Sequence, residues 1–227
     1  MSILNAIKHI SKRRKFLSQS INTKKHFSKW EETCVPSYCH SNLAAAYISW
    51  WRLFKSVNLA KKNIQNTPEK PNVLDFGASV GELGQLLPEV NYHFIEEEEI
   101  ASKQLLSSLP KATTQSLINL PKNFYDVIFA LDSLEHNSNY EELLEHLAES
   151  LNEVGVLIIS GPTESILYKI GRKIAGFDGH YHETNIYTIE KSTRKILQFD
   201  HVSSLPWFLP LFRISVWKKL TDNNPTS

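Results

Sequence analysis

A strand–helix–strand pattern in the middle of the chain decides the predicted fold. Residues 124–165 have the sequence FYDVIFALDSLEHNSNYEELLEHLAESLNEVGVLIISGPTES. The apolar runs at 125–131 and 156–160 are typical of strands buried on both faces. Apolar side chains between them recur at helical intervals, at Tyr140, Leu143, Leu144, Leu147 and Leu151. Ser138 and Glu141 have capping-box spacing and predict the start of this helix. Because a strand–helix–strand unit makes a crossover, the stretch predicts an α/β protein with parallel strands.

Shorter versions of the same pattern extend in both directions. The predicted strands are 72–76, 92–95, 112–116, 201–204 and 212–218, and the predicted helices are 81–87 and 100–109. In a mainly parallel sheet, ligands bind beyond the carboxyl ends of the strands. We therefore expect the chemistry in the loops after Phe76, Ile95, Leu131 and Ser160.

The first 66 residues have a different character and are predicted to form a helical extension. Residues 1–30 hold eight Lys and Arg and no acid, whereas the other residues carry a net charge of −7. Ile3, Ile7, Ile10, Leu17 and Ile21 share one face of a basic amphipathic helix. A second helix spans 43–62, and prolines at 68 and 71 mark the boundary. We expect an extension over 1–66 and a catalytic domain over 67–227.

Composition narrows the class of protein. The chain has 227 residues, two cysteines and no long apolar run, which disfavours a disulfide scaffold and a membrane-spanning protein. A cytoplasmic protein is expected. The basic helix allows a helix packed on the core or one bound peripherally to an anionic membrane surface. A mitochondrial transit peptide is a third interpretation, which is less favoured because only two of the eight cations are arginine.

A turn with two glycines follows the first strand of the domain. Asp75, Gly77, Ser79 and Gly81 lie in the segment DFGASVGELG, and glycine lets the chain turn tightly next to a ligand. The Gly-x-Gly-x-x-Gly pattern of dinucleotide-binding proteins is absent, and so is the Gly-Lys-Ser/Thr of a phosphate loop. The turn predicts a site for a different polar ligand.

This segment resembles motif I of class I S-adenosylmethionine-dependent methyltransferases, Asp/Glu-x-Gly-x-Gly-x-Gly. Asp75, Gly77 and Gly81 match it, and Ser79 replaces the middle glycine. The resemblance covers residues 68–219 and includes 124–165 and the segment GHYHETNIYTIEK. It implies a Rossmann-like, doubly wound sheet of seven strands, mainly parallel with the last strand antiparallel.

The resemblance also implies S-adenosylmethionine as the cofactor and places residues around it. Glu96, at the end of the second strand, is where the family binds the ribose hydroxyls. Asp132 and Ser133 lie where it builds the methionine and adenine side. Together with the motif I positions, these are the expected cofactor-binding residues.

Transfer to a hydroxyl group also requires a base that removes its proton. His136, His180 and His182 are the candidates, because neutral imidazole accepts a proton near pH 7 and all three lie in loops at the expected edge. His136 could equally orient its turn. No metal is expected, since Cys34, Cys39 and the neighbouring histidines lack a recognised zinc spacing.

Two other functions remain open from the sequence. A serine hydrolase could use Ser79 in Gly-x-Ser-x-Gly, with Asp132 and His180 following in the order of that fold. A methyltransferase-like protein could also bind without catalysis. The acidic body disfavours nucleic acid as a substrate. The aromatic-rich chain and the basic helix favour a small-molecule, lipid-linked or glycan-type acceptor.

Overall fold

A mixed sheet of seven strands forms the centre of the protein. The computed structural model describes residues 3–20, 30, 35–64, 69–163, 184–206 and 211–220. The strands are β1 (Asn72–Phe76), β2 (Asn91–Ile95), β3 (Thr113–Thr114), β4 (Tyr125–Leu131), β5 (Leu151–Pro162), β6 (Leu197–Leu205) and β7 (Phe212–Lys219). The helices are α1 (Ile3–Ser20), α2 (Val35–Tyr38), α3 (Leu43–Ile64), α4 (Glu99–Ser108), α5 (Tyr140–Ser150) and α6 (Ile186–Thr193).

The strand order β3-β2-β1-β4-β5-β7-β6 confirms the predicted doubly wound fold. Pairs among β1 to β5 are parallel, and β7 runs antiparallel to both β5 and β6. The order reverses between β1 and β4, so the loops that follow these two strands diverge and leave a crevice. That crevice is where the sequence places the glycine turn and Asp132.

Alternate residues of the central strands enter two separate cores. Val127 and Phe129 of β4 face one core, and Ile128 and Ala130 face the other. This alternation is the period of two that a strand imposes, and both sets are apolar because helices cover both faces. The first core contains residues of α1 and α3, and the second contains residues of α5 and α6.

The N-terminal helices pack directly on the first core. Ile10 and Leu17 of α1 are buried as the sequence predicts, whereas Ile7 is 42% exposed. The ring of His9 lies edge-on against Trp50 of α3, which is fully buried. One face of this helix therefore packs on the core, and that face is narrower than the isoleucine pattern indicates. The side chain of Ile3 and residue 21 lie outside what the structure describes.

Three local predictions are wrong. The helix expected over 81–87 is only a 3-10 turn, Gly84–Leu86, because Gly81 adopts φ +79°, a left-handed conformation that an α-helix does not contain. Helix α5 has Asn139 as its N-cap and no side-chain cap from the predicted capping box. Strand β5 begins at Leu151, directly after α5, and is longer than predicted.

Within the described residues, no helix combines the length and the apolar character that crossing a bilayer requires.

Candidate active site

The glycine turn after β1 is held by backbone geometry that glycine makes possible. Gly77, Ser79 and Gly81 have φ values of +75°, +49° and +79°. A Cβ on Gly77 would lie 2.6 Å from the Cβ of Ser133, in the loop after β4. Since contacts below 3 Å do not occur between real Cβ atoms, only glycine fits there. The turn after β1 and the loop after β4 are thus in direct contact.

Glu96, at the end of β2, points toward the glycine turn. Its Oε2 accepts a hydrogen bond from the backbone N–H of Ser79 at 2.5 Å, and its Oε1 accepts one from Glu98 at 3.0 Å. Burial raises the pKa of this carboxyl, and the two backbone donors oppose that shift. Glu97, Glu98 and Glu99 are exposed. The structure therefore singles out Glu96 from the run of four glutamates.

Asp75 lies at the base of the site and is 4% exposed. The Tyr92 hydroxyl donates a hydrogen bond to its Oδ2 at 2.5 Å. Burial raises the pKa of Asp75 to about 7, against the opposing effect of this hydrogen bond and with a smaller upward contribution from Glu96. A carboxyl with such a pKa changes its charge near neutral pH.

A cleft opens above the glycine turn, between the sheet and the N-terminal helices. Its lining comes from three parts of the chain: Tyr38 and Leu53; Asp75, Gly77, Ala78, Ser79, Glu82 and Leu83; and Leu131. The Oγ atom of Ser79 is buried and has no hydrogen-bond partner among the described residues, and the same holds for Ser133. Buried hydroxyls without partners are costly, so the oxygen of Ser79, which lines the cleft, fits a polar ligand that would satisfy it.

Asp132, after β4, is paired with an arginine that the sequence analysis missed. Its carboxylate forms an ion pair with Arg52 of α3, which is 2% exposed, and its Oδ1 accepts a bond from Ser160 at 3.3 Å. The guanidinium also lies 4.8 Å above the ring of Phe212. The sequence does contain a signal for this pair, because Arg52 stands inside the apolar pattern SWWRLF and a buried charge requires a partner.

Glu82 is a buried carboxylate that the sequence analysis also missed. It follows Gly81, is 2% exposed, and accepts bonds on both oxygens from Arg13 of α1. Burial raises its pKa and the arginine lowers it. Nothing in the sequence connects two residues 69 positions apart.

Of the three candidate bases, the structure describes one. His136 ends the 3-10 turn Leu134–His136 and is exposed. Asn137 fixes this turn through its Nδ2, which donates to the carbonyl oxygen of Ser133 at 2.7 Å. His180 and His182 lie outside the described residues. Among the residues that are described, no group of three metal-ligating side chains occurs.

Comparisons with known proteins identify the family. A model described as "Methyltransferase domain" matches residues 51–206, more than half of the chain. The chain belongs to this methyltransferase domain family and is an enzyme. This confirms the expected S-adenosylmethionine-dependent methyltransferase, with S-adenosylmethionine as its cofactor. The family match favours this assignment over the serine-hydrolase alternative.

Solved structures show the same fold at low sequence identity. One is magnesium protoporphyrin IX methyltransferase from Synechocystis PCC 6803 with bound S-adenosylhomocysteine: 18% identity, TM-score 0.59, covering 91% of this chain and 100% of that chain. A second is the N-methyltransferase NodS from Bradyrhizobium japonicum WM9 in complex with S-adenosylhomocysteine: 10% identity, TM-score 0.59, covering 76% and 87%. A Pyrococcus horikoshii OT3 protein has 11% identity and a TM-score of 0.60, covering 77% and 92%. A comparison with curated proteins finds no significant match.

Proposed function

We propose that this methyltransferase transfers the methyl group to a hydroxyl of a small-molecule, lipid-linked or glycan-type acceptor. One observation carries the placement of the donor. The glycine turn, with the unpartnered hydroxyl of Ser79, lines the cleft at the carboxyl ends of β1 and β4. Glu96, directly after β2, accepts a hydrogen bond from the Ser79 backbone of this turn.

The proposed donor site uses these groups in distinct roles. Glu96 accepts hydrogen bonds from the ribose hydroxyls. This role is supported by its two carboxylate oxygens, which accept hydrogen bonds from the backbone N–H groups of Ser79 and Glu98. Gly77 and Gly81 let the backbone approach the amino-acid part of the donor, with Asp75 beneath them. Ser79 and Ser133 gain partners for their buried hydroxyls. Asp132 contributes through the loop that its pair with Arg52 fixes.

The transfer itself is an in-line displacement. S-adenosylmethionine, when bound, supplies a carbon already activated by a sulfonium. The protein then has to align the acceptor oxygen with that carbon and exclude water. His136, His180 or His182 would take the proton from the hydroxyl as the new C–O bond forms and the bond from the methyl carbon to sulfur breaks, with S-adenosylhomocysteine as the leaving group.

The surface of the N-terminal helices supports the choice of acceptor. The described residues 3–20 and 35–64 contain no acid, and five of their lysines are exposed: Lys8, Lys12, Lys15, Lys61 and Lys62. Large apolar side chains are exposed on the same helices, at Leu4, Ile7, Leu43, Tyr47 and Trp51. Basic charge together with exposed apolar and aromatic groups is the composition that binds anionic membrane surfaces. A membrane-bound or lipid-linked acceptor would reach an enzyme held there.

Calorimetry with Glu96→Gln tests the donor site. Wild-type protein is expected to bind S-adenosylmethionine and S-adenosylhomocysteine with measurable heat. The variant is expected to bind both at least about tenfold more weakly, because hydrogen bonds to a charged group contribute about 1.5–3 kcal/mol. Glu97→Gln changes an exposed neighbour of the same charge and serves as the matched control.

Absence of heat with the wild type would contradict the donor assignment. Equal affinities in wild type and Glu96→Gln would contradict the role of this residue.

A further inference from the structure

Two arginines from the N-terminal helices reach the two loops that border the cleft. Arg13 of α1 pairs with Glu82 after β1, and Arg52 of α3 pairs with Asp132 after β4. All of these contacts are internal, with side-chain exposures of 11% and 2% in the first pair and 3% and 16% in the second. Residues outside the Rossmann-like sheet thus hold both sides of the site.

The Arg13–Glu82 pair has well-defined geometry. The Nε of Arg13 lies 3.0 Å from both carboxylate oxygens, and its Nη2 lies 2.5 Å from Oε1. A forked guanidinium–carboxylate pair fixes orientation as well as distance. Since Glu82 itself lines the cleft, the pair fixes a wall of the donor site.

Backbone hydrogen bonds from Gly77 and Ala78 to the carbonyl oxygen of Ile95 hold the start of the glycine turn. The pair with Arg13 holds the turn's other end, at Glu82. The segment after Gly81 has no α-helix, only the 3-10 turn Gly84–Leu86, so few helical hydrogen bonds stabilise it. The N–H of Gly81 donates to Ala78 O, and Ser79 N–H donates to Glu96. The second contact uses the carboxylate proposed for the ribose, so its oxygens would be shared with the donor. The pair with Arg13 leaves the ribose position untouched.

We propose that Arg13 is a positioning residue of the methyltransferase reaction. Through Glu82 it keeps the glycine turn in the shape that binds S-adenosylmethionine, without touching the donor itself. This inference rests on the donor site described above. It assigns to α1 a part in cofactor affinity, in addition to its packing on the core.

Arg14 provides the matched control on the same helix. Its Nη2 donates to the backbone oxygen of His40 at 2.6 Å, which fastens α1 to the segment after α2. Residue 40 is absent from the lining of the cleft. Loss of Arg14 therefore loosens the helix without altering the partner of Glu82.

The test compares Arg13→Gln, Arg13→Lys and Arg14→Gln in the full chain. Arg13→Gln is expected to raise the Kd for S-adenosylhomocysteine, and the KM for S-adenosylmethionine, by about tenfold, the usual size of coupling between sites. Its kcat at saturating donor should stay within about twofold, because the reacting atoms are unchanged. Arg13→Lys should restore part of the affinity, and Arg14→Gln should leave the Kd within about twofold of wild type.

Thermal unfolding of each variant separates positioning from loss of fold. If Arg13→Gln does not fold, the double variant Arg13→Gln/Glu82→Gln replaces it, because it removes both charges and leaves neither buried without its partner. An unchanged Kd in the folded variant would overturn the inference. So would an equal loss of affinity in Arg14→Gln, since loosening α1 would then explain both. Wild-type protein that binds no donor would instead refute the donor site.

Discussion

The buried residue Asp75 makes a prediction about pH. Its carboxyl has a pKa of about 7 in the folded protein, against 3.8 for an ordinary aspartate. Between these pH values the folded state binds more protons than the unfolded state. The contribution of Asp75 to the free energy of unfolding is therefore greatest at low pH and is lost as the pH rises through 7.

The variant Asp75→Asn should not show this loss of stability with rising pH. The free energy of unfolding of the wild type is expected to fall, relative to the variant, by on the order of 1 kcal/mol per pH unit between pH 5 and 7. Urea titrations at a series of pH values measure the difference. Asp200→Asn, on the exposed part of β6, should keep the wild-type slope. A constant difference between Asp75→Asn and wild type across this range would contradict the prediction.

At the level of the elements, the strands were predictable because both of their faces are buried. NVLDF and YDVIFAL are apolar on both faces, and the structure forms β1 and β4 at the predicted positions. The prediction of a helix over 81–87 is wrong because it follows the spacing of the apolar residues and gives too little weight to Gly81 and Gly84. The local turn at Gly81 takes a left-handed backbone instead.

The contacts that complete the site could not be predicted in the same way. Asp75, Gly77 and Glu96 follow a motif with fixed spacing, so the sequence alone predicts that they lie close together at the carboxyl ends of β1 and β2. Arg13 and Glu82 come together only because α1 packs on the sheet, and no local pattern encodes this contact. Long-range pairing of charges depends on how elements pack, which periodicity along the chain does not contain.

A further prediction concerns the histidine that acts as the catalytic base. One histidine is proposed to remove the proton from the acceptor hydroxyl. Replacing that histidine by alanine, as His136→Ala, His180→Ala or His182→Ala, should lower kcat by about 100-fold or more. Donor affinity, measured by calorimetry, should remain within about twofold, since a base contacts the acceptor. His201→Ala, on β6, is the control substitution. Full activity in all three variants would remove the proposed base.

On the scale of the whole molecule, positive charge is concentrated near the N-terminus. Residues 1–30 carry eight positive charges and no acid, and the rest of the chain is net negative. The α1 lysines at 8, 12 and 15 are exposed, as are Leu4 and Ile7 on the same helix. Such a surface attracts anionic lipid and offers apolar groups for insertion.

Vesicle co-sedimentation tests this attraction. The wild type should bind vesicles containing phosphatidylserine and bind pure phosphatidylcholine weakly, with loss of binding at high salt. Replacing Lys8, Lys12 and Lys15 by Gln should reduce binding by about tenfold or more, since each lysine near such a surface contributes about 1 kcal/mol. Lys103, Lys122 and Lys195, exposed on the body, are the matched control triple. Equal binding to both kinds of vesicle, or equal loss in both triples, would contradict the prediction.

The position of β7 between β5 and β6 has a consequence for biosynthesis. Among the strands that the structure describes, β6 pairs with β7 alone, and β7 is made after it. While the ribosome is still adding residues 212–219, the edge of β5 is uncovered and β6 has no neighbouring strand. A nascent chain arrested before residue 212 should therefore expose two strand edges and be a target for chaperones.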